Sequence, residues 1–149
     1  MPVVDESIAQ KVSHAFAGVP YGETVQVSLA TTQIDNTNDQ ALVYSFNADS
    51  DQYVVGIGLK ASDMDTHATP TLTFNVGLGE VDGTIDDTVI TASTCGQGGT
   101  SDGSLCGPIS TATTKYVIVD VGTAAATAAA GTLDVTVWLA KLPEGVRTS

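Results

Sequence analysis

Apolar and polar residues alternate strictly in six segments of this chain, and a period of two is typical of β-strands with one face on a core. The longest series runs from Tyr53 to Ala61 and has Gly56, Gly58 and Lys60 on its opposite side. The apolar positions of the six runs are Val25, Val27 and Leu29; Leu42, Tyr44 and Phe46; Tyr53, Val55, Ile57, Leu59 and Ala61; Leu72, Phe74, Val76 and Leu78; Val117, Val119 and Val121; and Leu133, Val135, Val137 and Leu139. The pattern predicts at least six strands.

Turn-forming residues separate these runs. Clusters such as DNTND, NADSD and GEVDG supply the Gly, Asn and Asp that turns between strands require. Shorter apolar runs at Thr88 to Ala92 and near Ile109 raise the count to about eight strands. So many short strands, with no long helical pattern between them, predict an all-β fold, either an antiparallel sandwich or a barrel.

The segment TAAATAAAG, residues 123–131, is the ambiguous part of this pattern. Alanine is the best helix former, so the segment could nucleate a turn or two of helix. A helix so short is marginal in water, and the interspersed threonines and flanking β-branched runs favour a loop. We therefore expect a connection of small residues between the last two strands.

The first 22 residues show a different spacing. Ile8, Val12 and Phe16 recur every four positions after Asp5 and Ser7, either of which could cap a short amphipathic helix. We predict an arm outside the sandwich; the alternative is a helix packed back on its own domain. The predicted domain boundaries are 1–22 for the arm, 23–141 for the β-sandwich and 142–149 for a C-terminal tail.

Composition excludes several classes of partner. The chain has 149 residues and carries 5 Lys and Arg against 17 Asp and Glu, a formal net charge of -12. The few cations are scattered, so no basic patch is present to hold phosphates, and we expect no nucleic-acid partner. The N-terminal residues do not resemble a signal peptide, and no apolar run reaches 18 residues, so we expect no membrane partner.

Catalytic and metal-binding patterns are also weak. The two histidines, His14 and His67, lie on the predicted arm and in a turn-like segment, and no GxSxG, HExxH or phosphate-binding glycine loop occurs. Acidic clusters at residues 35–39, 63–65 and 82–87 offer oxygen ligands for calcium, but none has EF-hand spacing, and Asx residues make turns without any ion. We predict no enzyme, no catalytic residue, no cofactor and no metal site.

The only two cysteines, Cys95 and Cys106, lie in a Gly/Ser-rich insert, TCGQGGTSDGSLCG, that is typical of a loop. A disulfide between them would close a short ring and contribute about 2 to 3 kcal/mol if its geometry were unstrained. Two unpaired thiols are the equal alternative. A metal site would need closer spacing and more ligands.

The last two runs carry large apolar residues on the side where polar residues are expected. If Val117, Val119 and Val121 face the core, then Tyr116 and Ile118 point outward. Trp138 likewise points outward if the apolar positions of the final run face the core. Such groups suggest a contact with another chain, since aromatic anchors concentrate at interfaces; the alternative is that both faces are covered within the monomer.

One family resemblance rests on the segment VVGIGLKASDMDTHATPTLTFNVGLGEVDGTIDD together with TTKYVIVDVGTAAATAAAGTLDVTVWLA, roughly residues 53–140. The shared order is a strand, an acidic D-x-D turn, a T-L-x-x-V-G strand, an acidic G-x-x-D-G turn, and a terminal hairpin joined by Ala and Thr. This order resembles capsid decoration, or cement, proteins of tailed bacteriophages. The cysteine insert and the long N-terminal arm depart from that pattern.

The resemblance implies a jelly-roll-like β-sandwich, commonly a homotrimer, that sits on the capsid exterior of a virion and holds neighbouring major capsid protein subunits together. It implies a non-enzymatic structural role. The alternative is a head-fibre or tail-associated module that binds a host-surface glycan through the turn at residues 35–39 or through the cysteine insert, although neither holds an aromatic residue for sugar stacking. The residues expected at subunit contacts are Ile8, Val12, Phe16, Tyr21, Tyr116, Ile118 and Trp138.

Overall fold

The computed structural model describes residues 21–37, 40–45, 52–80, 83–111 and 116–141. The described residues form eight strands and one short helix. In chain order the elements are β1 (Tyr21–Leu29), α1 (Thr31–Ile34), β2 (Gln40–Ser45), β3 (Gln52–Ala61), β4 (Thr73–Gly79), β5 (Ile85–Ser93), β6 (Ser101–Ser110), β7 (Tyr116–Thr123) and β8 (Gly131–Lys141). The first strand begins at Tyr21, inside the segment predicted as an arm. Residues 1–20 and the predicted tail, 142–149, lie outside the described residues.

The strands form two four-stranded sheets. Sheet 1 has the order β1-β8-β3-β6 and sheet 2 the order β2-β7-β4-β5, and every pairing is antiparallel. Consecutive strands mostly alternate between the sheets, which is the eight-stranded jelly-roll arrangement of two Greek keys. The prediction of an all-β, antiparallel, jelly-roll-like sandwich is confirmed.

The inward faces of the two sheets form one core. Along β8, Leu133, Val135, Val137 and Leu139 are fully buried, and the residues between them are at least partly exposed. Phe74 of β4 is the largest of the fully buried side chains. The alternation seen in the sequence therefore corresponds to burial in the final strand, as the pleat requires.

A β-bulge at Val55 changes the predicted phase of β3. Val54 pairs with Leu139 and Gly56 with Trp138, so Val55 is the extra residue between two paired ones. As a result Val54 is fully buried and Val55 only partly, while Ile57 and the residues after it keep their predicted inward positions. The inward assignment of Tyr53 and Val55 was wrong because the sequence pattern does not show the bulge.

The two ends of the sandwich differ in what they contain. We call the end where β1 begins and β8 finishes the terminal end; Tyr21 pairs there with Leu139. We call the opposite end the loop end. It holds residues 30–37, the described part of the β1–β2 connection, and three further connections: residues 62–72, 94–100 and 124–130. The last of these is a loop with one isolated bridge, between Asp65 and Ala128, as predicted for the alanine-rich segment.

Candidate interaction surface

Three of the predicted contact residues lie at the terminal end. Tyr21 begins β1, where its hydroxyl oxygen accepts a hydrogen bond from the side-chain amide of Gln52. Trp138 lies next to the last core residue of β8, and Tyr116 begins β7 opposite Gly79. Tyr21 and Trp138 belong to sheet 1, whereas Tyr116 belongs to sheet 2. The other arm candidates, Ile8, Val12 and Phe16, lie outside the described residues.

Ile118 does not lie on an exposed surface, which corrects the prediction. Its side chain is fully buried. It pairs with Gly77 of β4, two residues before Gly79, and a Cβ atom at Gly79 would lie 2.7 Å from the Ile118 Cδ1 atom. Ile118 therefore occupies space that a side chain at Gly79 would need, and this outward position is covered within the chain.

Trp138 is exposed on the outer face of sheet 1, with 43% of its surface open to solvent. Its indole lies toward β1, since a Cβ atom at Gly22 would approach three ring carbons to 3.1–3.2 Å. Two strands away, Leu105 of β6 is 85% exposed, and its side chain lies over Gly56 of β3. Sequence reasoning missed Leu105 because the Gly/Ser-rich context was interpreted as a loop.

The two side chains border an open groove of about 270 Å³, which we call the Trp138–Leu105 groove. The other lining residues are Ile57, Gly58, Gly103 and Ser104. Gly58 and Gly103 pair with each other across β3 and β6, so backbone forms much of the floor. None of the lining residues carries a formal charge, although the chain as a whole is strongly acidic.

The loop end is organised around Asp65, which is only 2% exposed. Its carboxylate accepts hydrogen bonds from five backbone N–H groups, those of Thr71 at 2.7 Å, Leu72 at 3.0 Å and Ala126 at 2.9 Å on Oδ2, and those of Thr127 at 2.9 Å and His67 at 3.3 Å on Oδ1. These donors belong to the β3–β4 and β7–β8 connections. One carboxylate thus joins two loops.

The pKa of Asp65 is lowered well below its usual range. Burial by itself raises the pKa, but the hydrogen bonds from Thr127, Ala126, Thr71 and Leu72 favour the charged form and outweigh it. The carboxylate is therefore ionised at neutral pH. Its lone pairs are directed at backbone N–H groups, which makes it a structural acceptor.

Further hydrogen bonds connect all four loops at this end. Ala125 N donates to the Ile34 carbonyl oxygen at 2.9 Å, and Met64 N donates to the Gly96 carbonyl oxygen at 2.9 Å. Gly98 N donates to Asp63 Oδ1 at 3.2 Å. The D-x-D turn therefore uses both carboxylates to hold backbone, which is the turn-forming role of Asx residues.

The cysteines are free thiols, Cys95 buried and Cys106 partly buried. The sequence left open a disulfide or two unpaired thiols, and the structure has two unpaired thiols. Cys95 lies in the turn before β6, while Cys106 lies six residues beyond Thr100, whose N–H donates to the Cys95 carbonyl oxygen. At about 3.3 Å per strand residue this separation far exceeds the reach of a disulfide. Burial raises the pKa of both thiols, so both are protonated at neutral pH.

The structure also corrects the prediction that the cysteine insert is a loop. Residues 101–110 form β6, an edge strand paired with β3, and only residues 95–99 are a turn. Gly98 and Gly99 both have positive φ values in that turn, 89° and 71°, which explains two of its glycines. The short apolar run near Ile109 predicted the end of β6, but Ser, Gly and Pro interrupt the alternation before it, so the sequence did not show where the strand begins.

Within the described ranges, no group of three or more His, Cys, Asp or Glu side chains is placed to hold a metal ion. The same ranges contain no helix long and apolar enough to cross a membrane. The acidic turn at residues 35–39 is described only up to Thr37.

Known structures share this fold. The chain is similar to a chain of the capsid asymmetric unit of cyanophage Pam1, with 26% identity, a TM-score of 0.67, and coverage of 96% of this chain and 94% of that one. It is also similar to a chain of the capsid of Ralstonia phage GP4, with 22% identity, a TM-score of 0.69, and coverage of 89% and 88%. No protein-family model and no curated protein sequence matches. The neighbours are chains from phage capsids, and they support a virion structural role.

Proposed function

We propose that this chain is a non-enzymatic structural protein of a bacteriophage virion that decorates the capsid exterior and bridges major capsid protein subunits. The observation that carries the proposal is the likeness to a cyanophage capsid chain, which extends over nearly the full length of both chains at 26% identity. The jelly-roll topology agrees with it, since this arrangement is common in viral capsid domains.

The rigid loop end supports a mechanical role. Four loops are joined there by backbone hydrogen bonds and one buried carboxylate, and a surface that is ordered in advance loses less entropy in a contact. A protein that binds only the assembled shell stabilises it by mass action, because disassembly must also release every bound copy. No reaction is required of any residue.

The charge of the chain agrees with a position outside the shell. A net charge of -12 opposes contact with packaged nucleic acid and keeps particles apart in solution. The glycan-binding alternative receives no support from the described parts of the two turns, residues 35–37 and 94–100, which contain no aromatic side chain. We therefore retain the capsid role.

Self-association completes the proposal. The exposed Trp138 and Leu105 on sheet 1, with Tyr116 near the same end, supply apolar contacts for joining copies into a homotrimer. The segment before β1 includes the apolar residues Ile8, Val12 and Phe16, and in this proposal it contacts a neighbouring subunit.

The test is binding to shells that lack this protein. Capsids assembled from the major capsid protein alone are mixed with the purified chain and sedimented. We expect saturable co-sedimentation and a higher temperature of capsid rupture, and a chain that stays in the supernatant at all concentrations would contradict the proposal. A variant without residues 1–20, which keeps all of β1, should bind more weakly while its far-UV circular dichroism remains that of a β-sandwich.

A further inference from the structure

The paired glycines in the floor of the Trp138–Leu105 groove have no explanation within the chain. A Cβ atom at Gly58 would meet nothing closer than Thr136 Cβ at 3.9 Å, and one at Gly103 nothing closer than the Ile57 carbonyl oxygen at 3.5 Å. Neither residue has the positive φ that favours glycine. By contrast, a Cβ at Gly77 would lie 2.3 Å from a backbone oxygen, so the fold itself requires glycine there.

Glycine inside a strand costs roughly 0.5–1 kcal/mol relative to alanine, so a pair that the fold does not need calls for another reason. Strand glycines commonly mark places where a ligand or another backbone comes close. Here the pair lies two residues along the strands from the exposed apolar side chains of Trp138 and Leu105, which both pair with Gly56, and all four residues line the same groove. The groove therefore combines an open backbone floor with apolar sides, which suits an incoming chain segment.

The segment before β1 meets the requirements for the occupant. It leaves the fold at Tyr21, and Gly22, the next residue, pairs with Trp138. Twenty residues reach at most about 66 Å when extended, which exceeds the width of a four-stranded sheet several times. The segment contains Ile8, Val12 and Phe16 as apolar anchors.

Charge favours this segment, and not the folded body of another copy, as the occupant of the groove. Residues 1–20 contain Asp5, Glu6 and Lys11, so their side chains carry a net charge of only -1. The whole chain carries -12, so two acidic bodies repel each other, whereas a nearly neutral segment can enter an uncharged groove.

The segment that occupies the groove comes from a second copy of the chain and not from the same copy. Leu105 is 85% exposed and Trp138 43% exposed in the single chain. Pro20 favours an extended conformation at Val19 and does not favour reversing the chain onto its own sheet. We propose that residues 1–20 of one copy dock in the Trp138–Leu105 groove of a second copy. The inference rests on the self-association in the proposed function and names its structural basis.

The full-length chain and its Gly58→Val variant test this proposal. Valine favours strands, and its Cβ atom would lie in the groove with no neighbouring atom closer than 3.9 Å. Ser28→Val is the matched control, since Ser28 is exposed on the same sheet but at the loop end. Oligomer mass is measured by sedimentation equilibrium, together with the emission of Trp138, the only tryptophan of the chain.

We expect wild type and Ser28→Val to form the same oligomer, with Trp138 emission shifting to the red on dilution. Gly58→Val should raise the dissociation constant at least tenfold and show red-shifted emission at concentrations where wild type is assembled. A synthetic peptide of residues 1–20, added in excess to the full chain, should dissociate the oligomer while keeping Trp138 emission blue-shifted.

Three results would overturn the inference. The first is an oligomer that Gly58→Val leaves intact, and the second is a protein that stays monomeric at all concentrations. The third is a Trp138 emission that does not change with protein concentration, because this would indicate docking within one copy. The proposed function fails separately, through loss of wild-type binding to capsids. A chain that assembles through the groove but ignores capsids would leave this inference standing and remove the capsid role.

Discussion

Replacing Asp65 by asparagine tests the organisation of the loop end. Asparagine keeps the shape of the side chain but offers one acceptor oxygen where the carboxylate offers two. If the retained oxygen faces the N–H groups of Thr71, Leu72 and Ala126, the new NH₂ group faces those of Thr127 and His67, and donors then oppose donors.

The magnitude follows from the number of hydrogen bonds. A hydrogen bond to a charged group contributes about 1.5–3 kcal/mol and a neutral one about 0.5–1.5 kcal/mol. The bond from Thr127 is lost, and the three bonds on the other oxygen are weakened from charged to neutral. Because contributions that share one side chain do not add fully, we expect a total cost of about 3–5 kcal/mol. This is a large share of a typical total stability of about 5–15 kcal/mol, so the variant should still fold but unfold at much lower urea.

The pH dependence has a definite sign. Because the folded pKa of Asp65 lies below the unfolded value of about 3.9, its contribution is complete above that value and is lost as the pH falls toward the folded pKa. The difference between wild type and Asp65→Asn should therefore be largest near pH 7 and should narrow below about pH 4.

The assay is urea unfolding followed by Trp138 fluorescence at pH 7 and at pH 3. Asp63→Asn is the control, because Asp63 is exposed and its Oδ1 accepts two bonds of 3.2 Å, from Gly98 N and Asp65 N. We expect it to cost less than about 1 kcal/mol. If Asp65→Asn stayed within about 0.5 kcal/mol of wild type at pH 7, the assignment of Asp65 as the central acceptor would be refuted.

Three further predictions concern the sandwich. Gly79→Ala places a Cβ 1.9 Å from the Thr84 carbonyl oxygen and should lower stability by more than about 2 kcal/mol in urea titration, whereas an unchanged midpoint would contradict the tight β4–β5 packing. Phe74→Ala should cost about 3–5 kcal/mol, with Phe74→Leu less harmful; equal stabilities would show that Phe74 is not central to the core. Because Cys95 and Cys106 are free, a reducing agent should leave the melting temperature unchanged, and a drop would indicate a disulfide.

Period-two alternation predicted most of the strands because five of them bury one face in the core between the two sheets. β1, β4, β7 and β8 occupy the positions the pattern assigned, and β3 does so after its bulge. The bulge escaped prediction since it depends on pairing with β8 and β6, not on local sequence. The run near Ile109 predicted only the end of β6, because an edge strand without strong alternation has little local signature beyond its pairing partner.

The candidate surface was predicted only in part, and for a related reason. Trp138 stands out in the sequence as a large residue at an outward position, and the structure leaves it partly exposed. Ile118 has the same signature, yet Gly77 and Gly79 on the neighbouring strand give it room to be buried. Leu105 could be found only once β6 was known. Which outward residue stays exposed depends on the strand beside it.

The protein composition of purified particles tests the central claim most directly. Particles of the phage that encodes this chain are purified, their proteins are quantified by mass spectrometry, and intact particles are probed with an antibody raised against the chain. We expect many copies per particle and antibody binding to unbroken capsids. A chain that is made during infection but absent from the particles would contradict the account.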